Sequence, residues 1–343
     1  MFRDRTNAIA TVIVAAALAY AGLAFVRWGM VNAIWSLPQG AGSETCRAAR
    51  DVGACWAVIT ERFRFILFGP YPFAEQWRAA AACLLFVILY SASTVRTWWT
   101  WRLLGVWVLL PAAAVTLLGG GWFGLSDVPS EFWGGLPLTF LLSTAGWAVA
   151  FPLAAALALG RRSELPAIKG LCTAYIELVR GVPLVSFLFM AAVMFPLFVP
   201  QGLTMDKLLR AQVALVMVIA AYVAEVIRGG LQAIPNGQYE AAASLGLSYW
   251  PTTILVVLPQ ALRVSIPALV NTFIAFFKDT SLVTVIGLFD LLGGAKAVIV
   301  DAKWVGFGVE VYVFVAVVYF AFCFGVSQYS RRLERVLNAD GHQ

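Results

Sequence analysis

Apolar runs of membrane-crossing length recur along the chain, separated by short polar breaks. Residues 10–26, 79–95, 103–118, 136–159, 184–199, 213–227, 266–285 and 308–326 are almost entirely apolar. Crossing the hydrocarbon core as a helix takes about 20 such residues, so the pattern predicts about eight transmembrane helices and an all-α fold. Alternating apolar and polar segments, the mark of a membrane β-barrel, do not occur. The first run follows a basic start (Arg3, Arg5) and lacks a small-x-small cleavage site leading into a soluble domain. It therefore reads as a span and not as a secretory signal. Residues 63–72, FRFILFGPYP, are apolar but too short to cross. They read as an interfacial segment, with Trp77 and Arg78 as anchors at the outer surface. Residues 175–183, YIELVRGVP, open the fifth span at the inner face.

Composition agrees. The 343 residues are 61% hydrophobic and only 12% charged, with mean hydropathy +0.84, whereas a soluble domain is about 25% charged. Charge then orients the spans. Thirteen Lys and Arg fall on segments assigned inside, and four, Lys207, Arg210, Lys296 and Lys303, on the short outer loops. Because short cytoplasmic loops collect Lys and Arg, both termini are expected in the cytoplasm. The net charge of +6 belongs to that asymmetry and argues for a lipid bilayer, not for nucleic acid. Arg96 and Arg102 flank the tryptophans of RTWWTWR, which suits the inner interface.

The polar stretches divide the chain. Residues 28–78 form a long outer segment carrying Cys46 and Cys55. On an oxidising side these cysteines close a loop of about ten residues, worth roughly 2–3 kcal/mol by chain entropy; otherwise they are two free thiols. The Gly-rich stretch 119–135 reads as a junction. It separates an N-terminal membrane extension (1–130) from a core over 135–331, with a cytoplasmic tail over 332–343. The single histidine, His342, sits in that tail, and no His/Cys cluster has metal spacing. No GxxxxGK[ST] loop exists either, so no nucleotide site is expected on this chain.

The break over residues 240–259, EAAASLGLSYWPTTILVVLP, differs from the others. It is too polar and too rich in small residues for lipid, and it lies between two spans on the inner side. It predicts two short helices around a turn. Pro235 opens the first, Gly246 ends it in a left-handed conformation, and Ser248 caps the second with Pro251 in its first turn. Such a pair has no core of its own, so a partner protein is expected to receive it.

Glu240, Ala241 and Ala242, then Gly246 after three intervening residues, then Val256, Leu258 and Pro259, reproduce the EAA-loop pattern. The stretch therefore resembles the coupling loop of permease subunits of ABC importers. Residues 221–242, 258–267, 278–287 and 176–184 resemble the branch that moves polar amino acids (His/Glu/Gln/Arg/opine). The long N-terminal extension resembles the larger permease of general L-amino-acid importers. The resemblance implies a five-helix type I core preceded by three extra helices, in a bacterial inner membrane. It also implies partners: two ATP-binding-cassette subunits, which hold the ATP and Mg, a second homologous permease or a copy of itself, and a periplasmic amino-acid-binding protein. The cargo is then an amino acid, and the chain itself has neither cofactor nor catalysis. A free-standing ion-coupled transporter, with Glu225 or Asp279 at the ion site, is the alternative. A membrane enzyme finds no convincing set of catalytic residues.

Two groups of charged residues are candidates for the pathway or its gate. The pentapeptides Glu177–Gly181 and Glu225–Gly229 each put an acid three residues before a base, with Arg180 and Arg228 as the bases, close enough to pair on one helical face. They predict two ion pairs at the inner leaflet, as helix anchors or as a gate. Lys278, Asp279, Thr280 and Ser281 fall at the end of the seventh span, where charge is rarely accidental. They read as partners for a zwitterion or as a pin on an unwound helix end. Glu310, early in the eighth span, carries the same ambiguity.

Overall fold

A computed structural model describes residues 5–38, 43–48, 50–122, 124–198, 200 and 205–340. Arg3 and His342 lie outside them. In chain order the helices are α1 (Arg5–Val26), α2 (Glu44–Ala48), α3 (Ala57–Phe68), α4 (Gln76–Ser93), α5 (Trp101–Gly119), α6 (Gly135–Arg161), α7 (Pro166–Gly181), α8 (Leu184–Phe189), α9 (Phe195–Phe198), α10 (Lys207–Gln232), α11 (Asn236–Ser244), α12 (Tyr249–Pro251), α13 (Leu258–Asp279), α14 (Leu291–Ile299) and α15 (Gly308–Asp340). Among the described residues there is no strand beyond two isolated bridges. Among the described residues seven helical stretches are long and apolar enough to cross a membrane, and a bent pair, taken as one span, makes an eighth.

The bent pair is α7 with α8–α9, turned by 100°. Its cause is local: Val182 is extended (φ −108°, ψ 134°) ahead of Pro183, the conformation that a following proline favours. Two π-helical stretches also answer to prolines. Met190–Met194 and Thr252–Val257 each precede a proline by two residues, Pro196 and Pro259. A proline inside a helix lacks its N–H and clashes with the carbonyl four residues back; the wider π turn relieves both. This corrects one expectation. The segment after Gly246 is not a separate short helix: it runs without a break from Tyr249 to Ile286, so Pro259 lies inside a long helix.

The chain forms two compact units, Met1–Ile66 with Ala295–Val317, and Leu67–Gly294 with Val318–Gln343. In the first, α1 continues through a π turn to Val31 and presents an exposed apolar surface. The segment that carries the two cysteines is pinned at several points. Cys46 and Cys55 are disulfide-bonded, with Cα atoms 5.7 Å apart. The Cys55 N–H donates to the buried Glu310 carboxylate at 3.0 Å. Arg62 pairs with Asp301, and Lys303 with Glu61, at 2.6 and 2.7 Å. Peptide mapping of non-reduced protein is expected to find Cys46 linked to Cys55; alkylatable thiols at both, in protein kept oxidised throughout, would refute the link.

In the second unit α6 and α10 pack along a seam of small residues, Ala150, Ala154 and Ala158 against α10 alanines such as Ala214 and Ala221. Small side chains let membrane helices approach closely. At Gly230 a Cβ would strike the Ser265 hydroxyl and the Ala261 carbonyl, so glycine sets the α10–α13 crossing. Helices α4 and α5 belong to this unit as well, burying Phe86, Leu89, Ala114 and Leu118 with Phe140, Leu141 and Phe277. Compactness therefore divides the chain near residue 66, not at the Gly-rich junction. Arg78 shows why. It is not an interfacial anchor but wholly buried, donating to the carbonyls of Leu117, Leu118 and Ser126 at 2.6–3.2 Å. The last carbonyls of α5 lack helical partners and carry the negative end of the helix dipole, which a buried guanidinium satisfies.

Candidate functional site

Helix α11 ends in a Schellman motif. Gly246 is left-handed (φ +74°), its N–H bonds the Ala243 carbonyl at 2.9 Å, and the Leu247 N–H bonds the Ala242 carbonyl at 3.1 Å. These are the two closing bonds of that cap. Pro235 precedes α11 as its N-cap residue, and Ser248 occupies the N-cap of α12 without a side-chain bond. The expected coupling residues divide by role. Glu240, Ala241, Gly246 and Pro259 are exposed, Ala242 is buried, and Leu258 is half-buried. Ala242 thus seats the loop while the others face outward. Around them Leu245, Tyr249, Trp250, Ile254 and Leu255 are 53–80% exposed. These side chains give the polar loop an apolar border that packs against nothing else in the chain's core. Gln260 holds α13 to α11 through the Gln238 side chain at 2.9 Å. Arg162 donates to the Leu231 carbonyl at 2.8 Å and lies over the Tyr239 ring, tying α6 to both ends of the linker.

The two expected ion pairs form one network instead. Glu225 and Arg228 do pair, with Arg228 Nε 2.9 Å from the carboxylate. Glu177, however, pairs with Arg161 at 2.6 Å, and Arg161 reaches Glu225 at 3.0 Å. Arg180 turns from Glu177 toward Glu225, 3.9 Å away, and lies over the Tyr222 ring at 5.5 Å. One carboxylate therefore faces three guanidiniums from α6, α7 and α10. The physical reason is reach: an i, i+3 spacing permits a pair, but Arg161 at the end of α6 offers a partner that the pentapeptides do not contain.

Above this network lies a cavity of about 420 Å³ between α8, α10 and α13, with Tyr222, Asn271, Thr272 and Asp279 among its lining residues. The expected Lys278–Ser281 group is split around it. Asp279 lines the cavity and Lys278 does not. Thr280 is buried with its hydroxyl on the Phe277 carbonyl at 2.8 Å. Ser281 is half-buried in the 3₁₀ turn Thr280–Ile286 that follows α13. Glu310 lies under the disulfide loop, as described.

Two residues were missed. Arg161 lies outside both pentapeptides, at the end of α6, where their spacing gives no sign of it. Asp290 is fully buried and accepts from the Thr284 hydroxyl at 3.0 Å, the Gly293 N–H at 2.8 Å and the Tyr319 hydroxyl at 3.1 Å. It caps α14, as an Asp just before an apolar helix does, and that placement was the signal available. Burial pushes its carboxyl up from the usual range. Among the described residues no group of three His, Cys, Asp or Glu is placed to hold a metal.

Comparison with known proteins gives consistent results. The family model for "Binding-protein-dependent transport system inner membrane component" matches residues 149–338. The chain is 46% identical over 319 residues to the inner membrane amino-acid ABC transporter permease protein YhdY of Escherichia coli, covering 91% of this chain and 84% of that one. It is 38% identical over 346 residues to the glutamate/glutamine/aspartate/asparagine transport system permease protein BztC of Rhodobacter capsulatus, covering 84% and 80%. A crystal structure of an amino acid ABC transporter with histidines superposes with TM-score 0.52 at 33% identity, over 59% of this chain and 91% of the other.

Proposed function

The chain belongs to the family of binding-protein-dependent transport system inner membrane components and is a permease subunit of an ABC importer, and from this premise we propose that it moves polar L-amino acids inward. The observation that carries the proposal is the exposed coupling loop between two spans. A push on α11 moves α10 and α13 together, and those helices wall the cavity at Asp279. The names of YhdY and BztC, an amino-acid permease and a glutamate/glutamine/aspartate/asparagine permease, support the substrate class. The Asp279 carboxylate suits a substrate ammonium, with Tyr222, Asn271 and Thr272 as polar neighbours.

Each partner then has a place. Two ATPase subunits, holding ATP and Mg, receive the exposed faces around Gly246. A second homologous permease or a second copy completes the pathway, and a periplasmic amino-acid-binding protein delivers the substrate. Both termini lie in the cytoplasm. The chain itself performs no catalysis.

The test is uptake by the assembled complex in proteoliposomes. Accumulation of glutamate or glutamine is expected to require hydrolysable ATP and the binding protein, and Asp279→Asn is expected to lower it about tenfold, the equivalent of 1.4 kcal/mol, with assembly intact. Uptake that persists with an inactive ATPase and follows an ion gradient would overturn the proposal.

A further inference from the structure

A second cavity lies across α13 from Asp279. Residues 266, 269, 270 and 273 line it, while 271, 272, 275 and 279 line the first; at helical spacing these are opposite faces. The second cavity holds about 490 Å³ between α4, α5, α6, α13 and α15, within the size range of ligand sites. Trp99, Trp107, Trp147, Phe151, Phe273 and Phe322 form much of its wall.

The polar groups of this wall are turned on one another. Ser93 accepts three bonds: its carbonyl from the Trp99 indole at 3.0 Å and the Tyr329 hydroxyl at 3.3 Å, and its hydroxyl from the Trp107 indole at 3.0 Å. What remains facing the space is carbon, which suits an aliphatic chain. The same end of the cavity is basic. Arg102 follows Trp99 by three residues, and Arg332 adjoins Leu333 on the side of α15 that carries Ala321 and Gly325, whereas Arg331 falls on the opposite side of that helix; Arg102 and Arg332 are exposed. The charge asymmetry of the spans puts this end at the cytoplasmic leaflet, whose surface is anionic. The exposed Trp98 and Trp101 mark the headgroup level.

We propose that this cavity is a lipid site that takes an acyl chain of an anionic phospholipid from the cytoplasmic leaflet, with its phosphate near Arg102 and Arg332. Chemistry excludes a polar occupant, because the wall has few free donors or acceptors. Charge selects the headgroup, because the exposed Arg102 and Arg332 follow the lining at its basic end. The lipid would wedge the α4–α5 pair against α6, α13 and α15, so its loss is expected to loosen that packing without touching the Asp279 cavity.

The test uses the full-length chain in its purified complex, in nanodiscs of phosphatidylglycerol and phosphatidylcholine. A phosphatidylglycerol with a photoreactive acyl chain is expected to label peptides from 87–107 and 321–333, and the matching phosphatidylcholine to label them several-fold less. Gly325 lines the cavity, and a Cβ there meets nothing within 4 Å. Gly325→Leu therefore fills the space without a clash at its base and should cut labelling by about tenfold; Ala321→Phe, also on the lining, is the second filling variant. Replacing Arg102 and Arg332 by Gln should abolish the preference for phosphatidylglycerol and keep the acyl contact. Unchanged labelling in both filling variants would overturn the site. So would crosslinks from these peptides to another protein chain in place of lipid, equal labelling by the two lipids, or displacement by inorganic phosphate.

Discussion

A Gly246→Asp variant is expected to insert and fold but to lose most of its attached ATPase, with uptake falling in step. Gly246 is left-handed, a conformation that costs most L-residues about 1–2 kcal/mol. Asp and Asn are the side-chain-bearing residues that tolerate it best. A Cβ at this position meets nothing within 4 Å in the chain itself, so the substitution breaks no internal contact. The Schellman bonds from the Gly246 and Leu247 N–H groups involve only backbone and survive. What changes is the surface: a carboxylate appears near the exposed Glu240, on a face that presents Leu245, Tyr249 and Trp250 to a partner. Burying that charge without a counter-ion costs the docked state several kcal/mol by order of magnitude. Attachment should fall at least about tenfold, equivalent to 1.4 kcal/mol. Gly246→Asn separates charge from bulk and should lose less. Co-purification of the ATPase with each variant reads the effect. Full attachment and full uptake in Gly246→Asp would show that coupling runs through another surface.

Much of this machinery was legible in the residues because local rules decide it. The Gly246 cap needs only a left-handed glycine at the right spacing, and the structure completes it with two backbone bonds. The spans follow from apolar runs of sufficient length, and the bend at Val182–Pro183 from proline's effect on its neighbour. The misreadings share another origin. Arg78 next to Trp77 looks like an interfacial anchor, yet it is buried against the end of α5, roughly 40 residues on, and no local pattern encodes that meeting. The segment after Gly246 reads as a second short helix, but a π turn carries the helix on past Pro259. The Gly-rich junction reads as a boundary, while the aromatic packing of Phe86, Phe140 and Phe277 joins the helices on either side of it.

The charged network follows the same rule. Both pentapeptides carry an acid and a base at pairing distance, and only Glu225–Arg228 pairs within its own helix. Arg161, 16 residues before Glu177 and 64 before Glu225, redistributes the contacts because α6 and α7 end on the same side as α10. Tyr222 then connects the cavity to the charged network, since it lines the Asp279 cavity and its ring underlies Arg180. A shift of α10 that opened the cavity would thus be felt at Glu225, one helical turn away.

That link gives the second large effect. Glu225→Gln keeps the shape of the side chain and one acceptor but removes the charge that faces Arg161, Arg180 and Arg228. Three guanidiniums then share a site with Glu177 alone, which is more than half exposed. The Glu225 side chain is 24% exposed, so the loss should lie between the ~1 kcal/mol of a surface pair and the roughly 3–5 kcal/mol of a buried one. Mutual repulsion should drive Arg180 off Tyr222 and bias the inner end toward an open state. Uptake is expected to fall about tenfold or more while ATP hydrolysis continues, so fewer substrate molecules move per ATP. The repulsion account makes a sharper demand: removing one positive charge should restore balance. Glu225→Gln combined with Arg161→Gln should transport better than Glu225→Gln alone, a coupling that a double-mutant cycle isolates. If the network only anchors helix ends, the second substitution will make matters worse, and thermal stability will fall further with it. Normal uptake and normal coupling in Glu225→Gln, measured in the same proteoliposomes, would remove the network from the transport cycle.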